Sequence, residues 1–336
     1  MTSKQRAFCV LNGEAPDRTP VFPLIMSFAA KGINKSYKEF ASNAEVLAQA
    51  QINIAQKYNV DVITVCSDAF RISADLGGEI MFPDDTPPHL KAPLVKNLLD
   101  FKSLKRPDLS LSSTRCYDRA RAVGLISKEL AQTHAVFGWV DMPFAEACSL
   151  CGVQEFMMIM LDEPELAHSI LSYLTELVIE FALLQMETGT SLVGAGDAAA
   201  SLVSPDMYRE FALPYEQRVI NAIHAKDGIV KLHMCGNTTT LIDDMLRADA
   251  DLYNIDHSVD FGTAVSKYSA AGKAVKGNLN PVLLLSMTPD ECSAAGKKLI
   301  DTAPKTGYML SAGCEIPPGV SDEVFKAFCD SALLGN

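Results

Sequence analysis

The sequence predicts an α/β protein of the (β/α)8 TIM-barrel class, a single domain over residues 1–336. Three observations predict it. Short apolar runs of strand character alternate with helix-length amphipathic segments, and eight such runs occur along the chain. The runs end on polar or thiol residues, as barrel strands do where they reach a working face. No Gly-rich nucleotide fingerprint follows the first run, which disfavours an open doubly wound sheet.

The elements follow in order. Thr19 to Met26 reads as the first strand, with Pro20 and Pro23 suiting an edge or an end. Ser42 and Glu45 form a capping-box pattern, predicting a helix to about Tyr58. Val60 to Cys66 is the second strand, running out at Ser67-Asp68. Around residues 75–110, Gly77-Gly78, Asp84-Asp85 and Pro87-Pro88 predict an excursion of short strands and turns. A helix from about Cys116 to Gln132 leads to the third strand, Ala135 to Val140, which ends at Asp141. Cys148 and Cys151 lack a second pair for a metal ribbon and read as packing residues. Pro164 opens a long helix to about Thr188, striped with Leu166, Ile170, Leu174, Leu177 and Phe181.

Ser191 to Ala195 is the fourth strand, ending at Gly196-Asp197. Ser204-Pro205 caps the next helix, which Pro214 should kink. Ile229 to Met234 is the fifth strand, followed by a helix over Thr238 to Arg247. Leu252 to Ile255 is the sixth, ending at Asp256-His257, with a helix over about Phe261 to Ala271. Ala274 to Lys276 is the seventh, ending at Gly277-Asn278-Leu279-Asn280. Thr288-Pro289-Asp290 opens a helix, Tyr308 to Ser311 is the eighth strand, and Ser321 begins the closing helix.

Composition narrows the function. A net charge of -12 without any Lys/Arg-rich run argues against nucleic acid as a partner. No apolar run of about 18 residues suggests a membrane span, and the N-terminus lacks the apolar core of a signal peptide. Nine cysteines, an odd number scattered through a long chain, predict reduced thiols in a cytoplasmic setting.

The chemistry concentrates where the fifth strand ends, at Leu232-His233-Met234-Cys235-Gly236-Asn237. Residues two apart on a strand share a face, so His233 and Cys235 can converge as half of a zinc site. Taken alone, this pair would more often be packing. Cys314, closing the run Leu310-Ser311-Ala312-Gly313, supplies a third soft ligand at a strand end. Three protein ligands leave the fourth position of a tetrahedral zinc for substrate, which is the catalytic arrangement. Asp68, Asp141, Asp197 and Asn280 lie at the same predicted mouth as candidate substrate-binding groups, each with capping or turn formation as the plainer reading.

These motifs carry a resemblance. His233-Met234-Cys235-Gly236-Asn237, Ser311-Ala312-Gly313-Cys314 and the opening Asn12-Gly13-Glu14-x-x-Asp17-Arg18-x-Pro20 resemble the uroporphyrinogen decarboxylase superfamily. Ser204-Pro205-Asp206-x-Tyr208-x-x-Phe211 and Gly277-Asn278 agree with it. Within it, His-x-Cys followed by one distant Cys resembles the methylcobalamin:coenzyme M methyltransferases. That resemblance implies a catalytic Zn²⁺ on His233, Cys235 and Cys314, and methyl transfer between a methylcorrinoid and a small thiol such as coenzyme M. It implies a corrinoid protein as partner, and a carboxylate, Asp256, that fills the fourth metal site at rest, with His257 competing. Porphyrin decarboxylases of the superfamily carry arginines just after the first strand. Here that place reads Met26-Ser27-Phe28-Ala29-Ala30-Lys31, which makes decarboxylation the lesser reading. A corrinoid- or metal-binding protein without turnover is the third.

Overall fold

A computed structural model describes residues 1–84 and 86–334. Asp85, which the sequence places in a turn, lies outside the described residues. The strands are β1 Val62–Thr64, β2 Ile80–Met81, β3 His89–Leu90, β4 Ala135–Asp141, β5 Leu192–Gly196, β6 Ile229–His233, β7 Leu252–Asn254, β8 Ala274–Leu279 and β9 Tyr308–Ala312. Seven of them form a parallel sheet in the order β1-β4-β5-β6-β7-β8-β9, while β2 and β3 pair as a small antiparallel hairpin. This hairpin and the helix Leu98–Ser103 make up the expected excursion.

The sheet closes through the proline-bearing segment 21–24. Phe22 donates its N–H to Leu310 O at 2.9 Å, Leu310 donates to Pro20 O at 2.8 Å, and Ile316 donates to Leu24 O at 2.9 Å. On its other side, Asp61 N–H reaches Val21 O at 2.8 Å. The segment therefore fills the eighth staves' place between β9 and β1. It makes only isolated bridges because Pro20 and Pro23 offer no N–H to a continuous ladder.

A buried ion cluster holds this closure. The Asp61 side chain, fully buried, accepts from Arg6 Nη1 at 2.6 Å, Arg18 Nη1 at 2.8 Å and Val21 N–H at 2.8 Å. Arg6 also binds Asp17 at 2.6 Å. The opening motif thus serves the barrel's amino-terminal end. The helix Ser3–Leu11 lies across that end. Its Ala7 and Val10 pack into one apolar cluster with Phe22, Val62, Phe137, Leu192, Leu252 and Met309. A larger cluster joins the outer strand faces to the surrounding helices.

Most helices stand where the periodicity puts them, with local differences. Asn43, not Ser42, caps the helix Ala44–Lys57, its side chain accepting from Val46 N–H. Ser42 instead ends the short helix Tyr37–Ser42, whose own capping box is Ser36 with Glu39. Pro214 goes beyond a kink: the chain breaks at Ala212 into helices Pro205–Phe211 and Leu213–His224. After β6 the helix begins only at Ile242, the preceding Asn237 and Thr239 being held in a side-chain turn. One helix, Pro164–Glu187, has the length and hydropathy of a membrane span, which the sequence reading did not register. Its stripe from Leu166 to Phe181 is buried against the barrel.

Removing Asp61 leaves two guanidiniums facing each other in the core without their anion. Asp61→Ala is expected to cost about 3–5 kcal/mol of stability, read as a lower midpoint in urea unfolding.

Candidate metal centre

β6 delivers Lys231 and His233 on one face, and parallel pairing places His233 opposite Asn254 of β7. The strand ends at His233, so Cys235 sits in the following loop and not on the strand. It nevertheless turns to the same side. His233 Nε2 lies 3.1 Å from Cys235 Sγ, Cys235 Sγ lies 3.7 Å from Cys314 Sγ, and Cys314 Sγ lies 3.7 Å from His233 Nε2. Among the described residues, these three form the one cluster of His, Cys, Asp and Glu side chains with metal-ligating atoms mutually within 4.8 Å.

Two edges of the triangle match what a tetrahedral zinc requires, and the third, His233 to Cys235 at 3.1 Å, is shorter. Bonds of about 2.3 Å to sulfur and about 2.0–2.1 Å to nitrogen imply edges of about 3.8 Å and about 3.6 Å. A disulfide would need the sulfurs at about 2.05 Å, and both cysteines are free. His233 is buried, while both sulfurs keep partial exposure at the mouth.

Electrostatics favour ligand forms of the side chains. Burial lowers the His233 pKa, which favours the neutral imidazole that a metal ligand must be. Hydrogen bonds from the Cys235 thiol and from His233 lower Cys314 to about 4, so one sulfur is already a thiolate. In exchange the Cys235 proton is held more tightly, through that same contact with Cys314.

Backbone packing sets the loop that presents Cys314. A Cβ at Gly313 would stand 2.4 Å from His257 N and 3.0 Å from Asp256 C, so only glycine lets the β9 loop approach the β7 loop this closely. Asn254 Nδ2 donates to Gly313 O at 2.8 Å, and Gly313 N–H donates to Leu279 O at 2.8 Å. Beyond Cys314, Glu315 accepts from Ser27 N–H and Oγ, both at 2.9 Å.

Asp256, expected as a resting ligand, stands beside the triangle and is not one of its three clustered side chains. Its Oδ1 accepts from Ser258 N–H at 2.9 Å and Ser258 Oγ at 2.6 Å, with His257 Nδ1 at 3.2 Å. Burial works against its charge, but Ser258 and the Gly236 N–H hold the carboxyl below its usual range. It thereby pins the loop that carries Cys235.

The other expected site residues are not brought to the triangle. Asp68 is consumed by Arg115, at 2.8 and 2.9 Å, and by Ser67 at 2.7 Å. Asp141 is bound by Arg71 at 2.7 Å, and burial raises its pKa to about 6 against that pairing. Asp197 turns away from the barrel interior, where burial and then Glu216 push its carboxyl well up. Tyr208 donates to the same Glu216 at 2.6 Å. Asn280 closes a turn through Val282 N–H at 3.0 Å. Asn278 is structural as well, donating to Val259 O at 2.9 Å and Asp256 O at 3.2 Å.

The sequence reading missed Arg71, Arg115 and Lys276. Strand parity with Asn278 would have turned Lys276 inward. Lys231, on the His233 face of β6, has no ion-pair partner among the described residues. It lies 4.0 Å from the centroid of the Trp139 ring. Burial lowers it to about 8, while Cys66, Cys314, Cys235 and Asp141 favour its charge.

Comparison with known proteins gives the family and the fold. The family profile of uroporphyrinogen decarboxylase (URO-D) matches residues 2–333. A methylcobamide:CoM methyltransferase, MtbA, of Methanosarcina mazei is 31% identical over 225 residues, spanning 66% of this chain and 64% of that protein, under two thirds of its length. MtbA of Methanosarcina acetivorans is 26% identical over 94% of this chain and 93% of its own. A uroporphyrinogen decarboxylase of Xanthomonas axonopodis pv. citri is 25% identical over 96% of both chains. In structure, a methyltransferase from Methanosarcina mazei superposes with a TM-score of 0.89 at 21% identity, covering 99% of each chain. At that identity it supports the barrel fold alone.

The triangle predicts metal content directly. The purified protein is expected to hold one zinc per chain by elemental analysis, and Cys235→Ala or Cys314→Ala to lose most of it. Stoichiometric zinc surviving in both variants overturns the assignment. The barrel should remain folded in each, because its core does not depend on the metal.

Proposed function

The chain belongs to the uroporphyrinogen decarboxylase family, and from that premise we propose that it is a zinc-dependent transferase moving a methyl group between a methylcorrinoid and a small thiol of the coenzyme M type. The observation that carries this reading is the His233–Cys235–Cys314 triangle, spaced for a tetrahedral metal with its sulfurs partly exposed at the mouth. The methyltransferase names of two relatives support it.

His233, Cys235 and Cys314 would hold the zinc. Bound there, the ion supplies the positive charge that keeps an added thiol in its nucleophilic thiolate form at neutral pH. The chain's own residues do the positioning. His233 offers Nε2 as a neutral donor from the rigid end of β6, and Asp256 fixes the Cys235 loop through Gly236 and Ser258. Asn254 and the missing side chain of Gly313 fix the Cys314 loop against β7. A corrinoid is too bulky for the barrel interior, so it would be presented at the mouth, carried by a separate corrinoid protein.

A porphyrinogen fits this mouth poorly. Its carboxylates call for free guanidinium forks. The two guanidiniums that stand at the mouth, Arg71 and Arg115, are committed to Asp141 and Asp68.

The zinc-loaded protein, given methylcobalamin and a panel of small thiols, is expected to produce cob(I)alamin or its oxidation product, followed by absorbance. It should leave uroporphyrinogen unchanged. Coproporphyrinogen formation without methyl transfer would reverse the assignment to decarboxylation. Zinc binding with neither reaction would leave a metal-binding role only.

A further inference from the structure

Beneath the sulfur triangle the barrel holds two amines that the proposed chemistry does not use. Lys231 is 1% exposed and Lys276 is fully buried. Neither forms an ion pair among the described residues. Each lies instead over an aromatic ring, Lys231 Nζ 4.0 Å from the Trp139 centroid and Lys276 Nζ 3.9 Å from that of Phe22. Lys276 Nζ also has no hydrogen-bond partner. An unpaired buried cation is costly, so a single charge in this layer calls for an anion nearby.

The architecture delivers that charge to the metal centre. β5 contributes two glycines toward the interior, and their missing side chains make the space that Trp139 fills. A Cβ at Gly194 would stand 2.7 Å from Trp139 Cε3, and one at Gly196 would stand 3.0 Å from its Cζ2. The indole is tethered at its backbone, where Trp139 N–H donates to Gln185 Oε1 at 2.8 Å. Its ring lies 6.5 Å from that of His233. Lys231, two residues before His233 on the same face of its strand, is thus held on the face of an indole that itself neighbours the His233 ring.

Charge counting gives this placement a consequence. Zn²⁺ with two thiolates and a neutral imidazole is neutral overall. A water or an imidazole in the fourth position keeps it neutral, whereas a thiolate makes the buried centre an anion. Resting on the zinc–thiol reading above, we propose that Lys231 is a specificity-determining residue: its ammonium, set by Trp139 under the sulfur pair, is the counter-charge that makes the centre take a thiolate in preference to a neutral ligand. Lys231 touches no reacting atom and acts through the field it imposes.

The test uses the full chain loaded with Co²⁺, whose visible spectrum reports the ligands around it, titrated separately with 2-mercaptoethanol and with imidazole. Lys231→Met is expected to weaken 2-mercaptoethanol binding about tenfold or more and to leave imidazole binding within about twofold. Lys231→Arg, which keeps the charge, should keep most of the thiol preference. Equal loss of thiol affinity in the Met and Arg variants would make volume the cause and overturn the proposal, as would parallel changes for both ligands. Urea unfolding of the metal-free variant gives a second readout. Burial outweighs the attraction of the neighbouring sulfurs and Asp141 for this amine, so Lys231→Met should raise the midpoint, and a fall would mark Lys231 as a packing residue. A wild-type protein that takes up no cobalt brings down the zinc reading and this one together. Cobalt bound normally, with thiol affinity indifferent to Lys231→Met, brings down this one alone.

Discussion

Curvature is the constraint on which the site depends. β6 and β9 are separated in the sheet by β7 and β8. On a flat sheet three strand spacings amount to about 14–15 Å, yet Cys235 and Cys314 approach to 3.7 Å. Only a closed barrel, with both loops leaning inward over its mouth, brings the sulfurs together. Closure passes through residues 21–24, a segment too proline-rich to form a regular strand. The Asp61 carboxylate, gripping Arg6, Arg18 and the Val21 N–H, compensates for the missing ladder bonds. A charge cluster at one end of the molecule therefore underwrites metal-site geometry at the other.

The mouth also shows how polar strand ends divide their labour. Asp68 and Asp141 neutralise arginines and so stiffen the rim. Burial and Glu216 together push up the carboxyl of Asp197, between the barrel and its helices. The soft side chains of His233, Cys235 and Cys314 meet one another instead of a hard partner.

Much of this was legible beforehand. Strand positions followed from apolar runs, because parallel barrel strands are buried on both faces. The convergence of His233, Cys235 and Cys314 was legible because His233 ends one strand, Cys235 follows it by two residues and Cys314 closes another. What could not be read depended on partners from elsewhere. Asp68 and Asp141 looked like free acids because Arg115 and Arg71 lie on helices that periodicity does not orient toward the mouth. Asp256 looked like a ligand until Ser258, two residues on, bent its carboxylate back. Asp197 was readable in part: Gly194 and Gly196 face inward, so alternation already turned position 197 outward. Ser42 and Asn43 are both good caps, and only the preceding short helix decides between them.

The helix Ser3–Leu11, with Phe22, Phe137 and Met309 above it, closes the floor of the barrel. With the floor so filled, the mouth is the side from which the sulfur triangle is approached. On the proposed methyl transfer, two reactants of unequal size would use it in turn. The small one would be seated before the large one arrives, since a macrocycle resting on the rim would shut the doorway behind it. On that reading kinetic order would be a property of the plug: compulsory sequence, with the bulky carrier last to enter and first to leave.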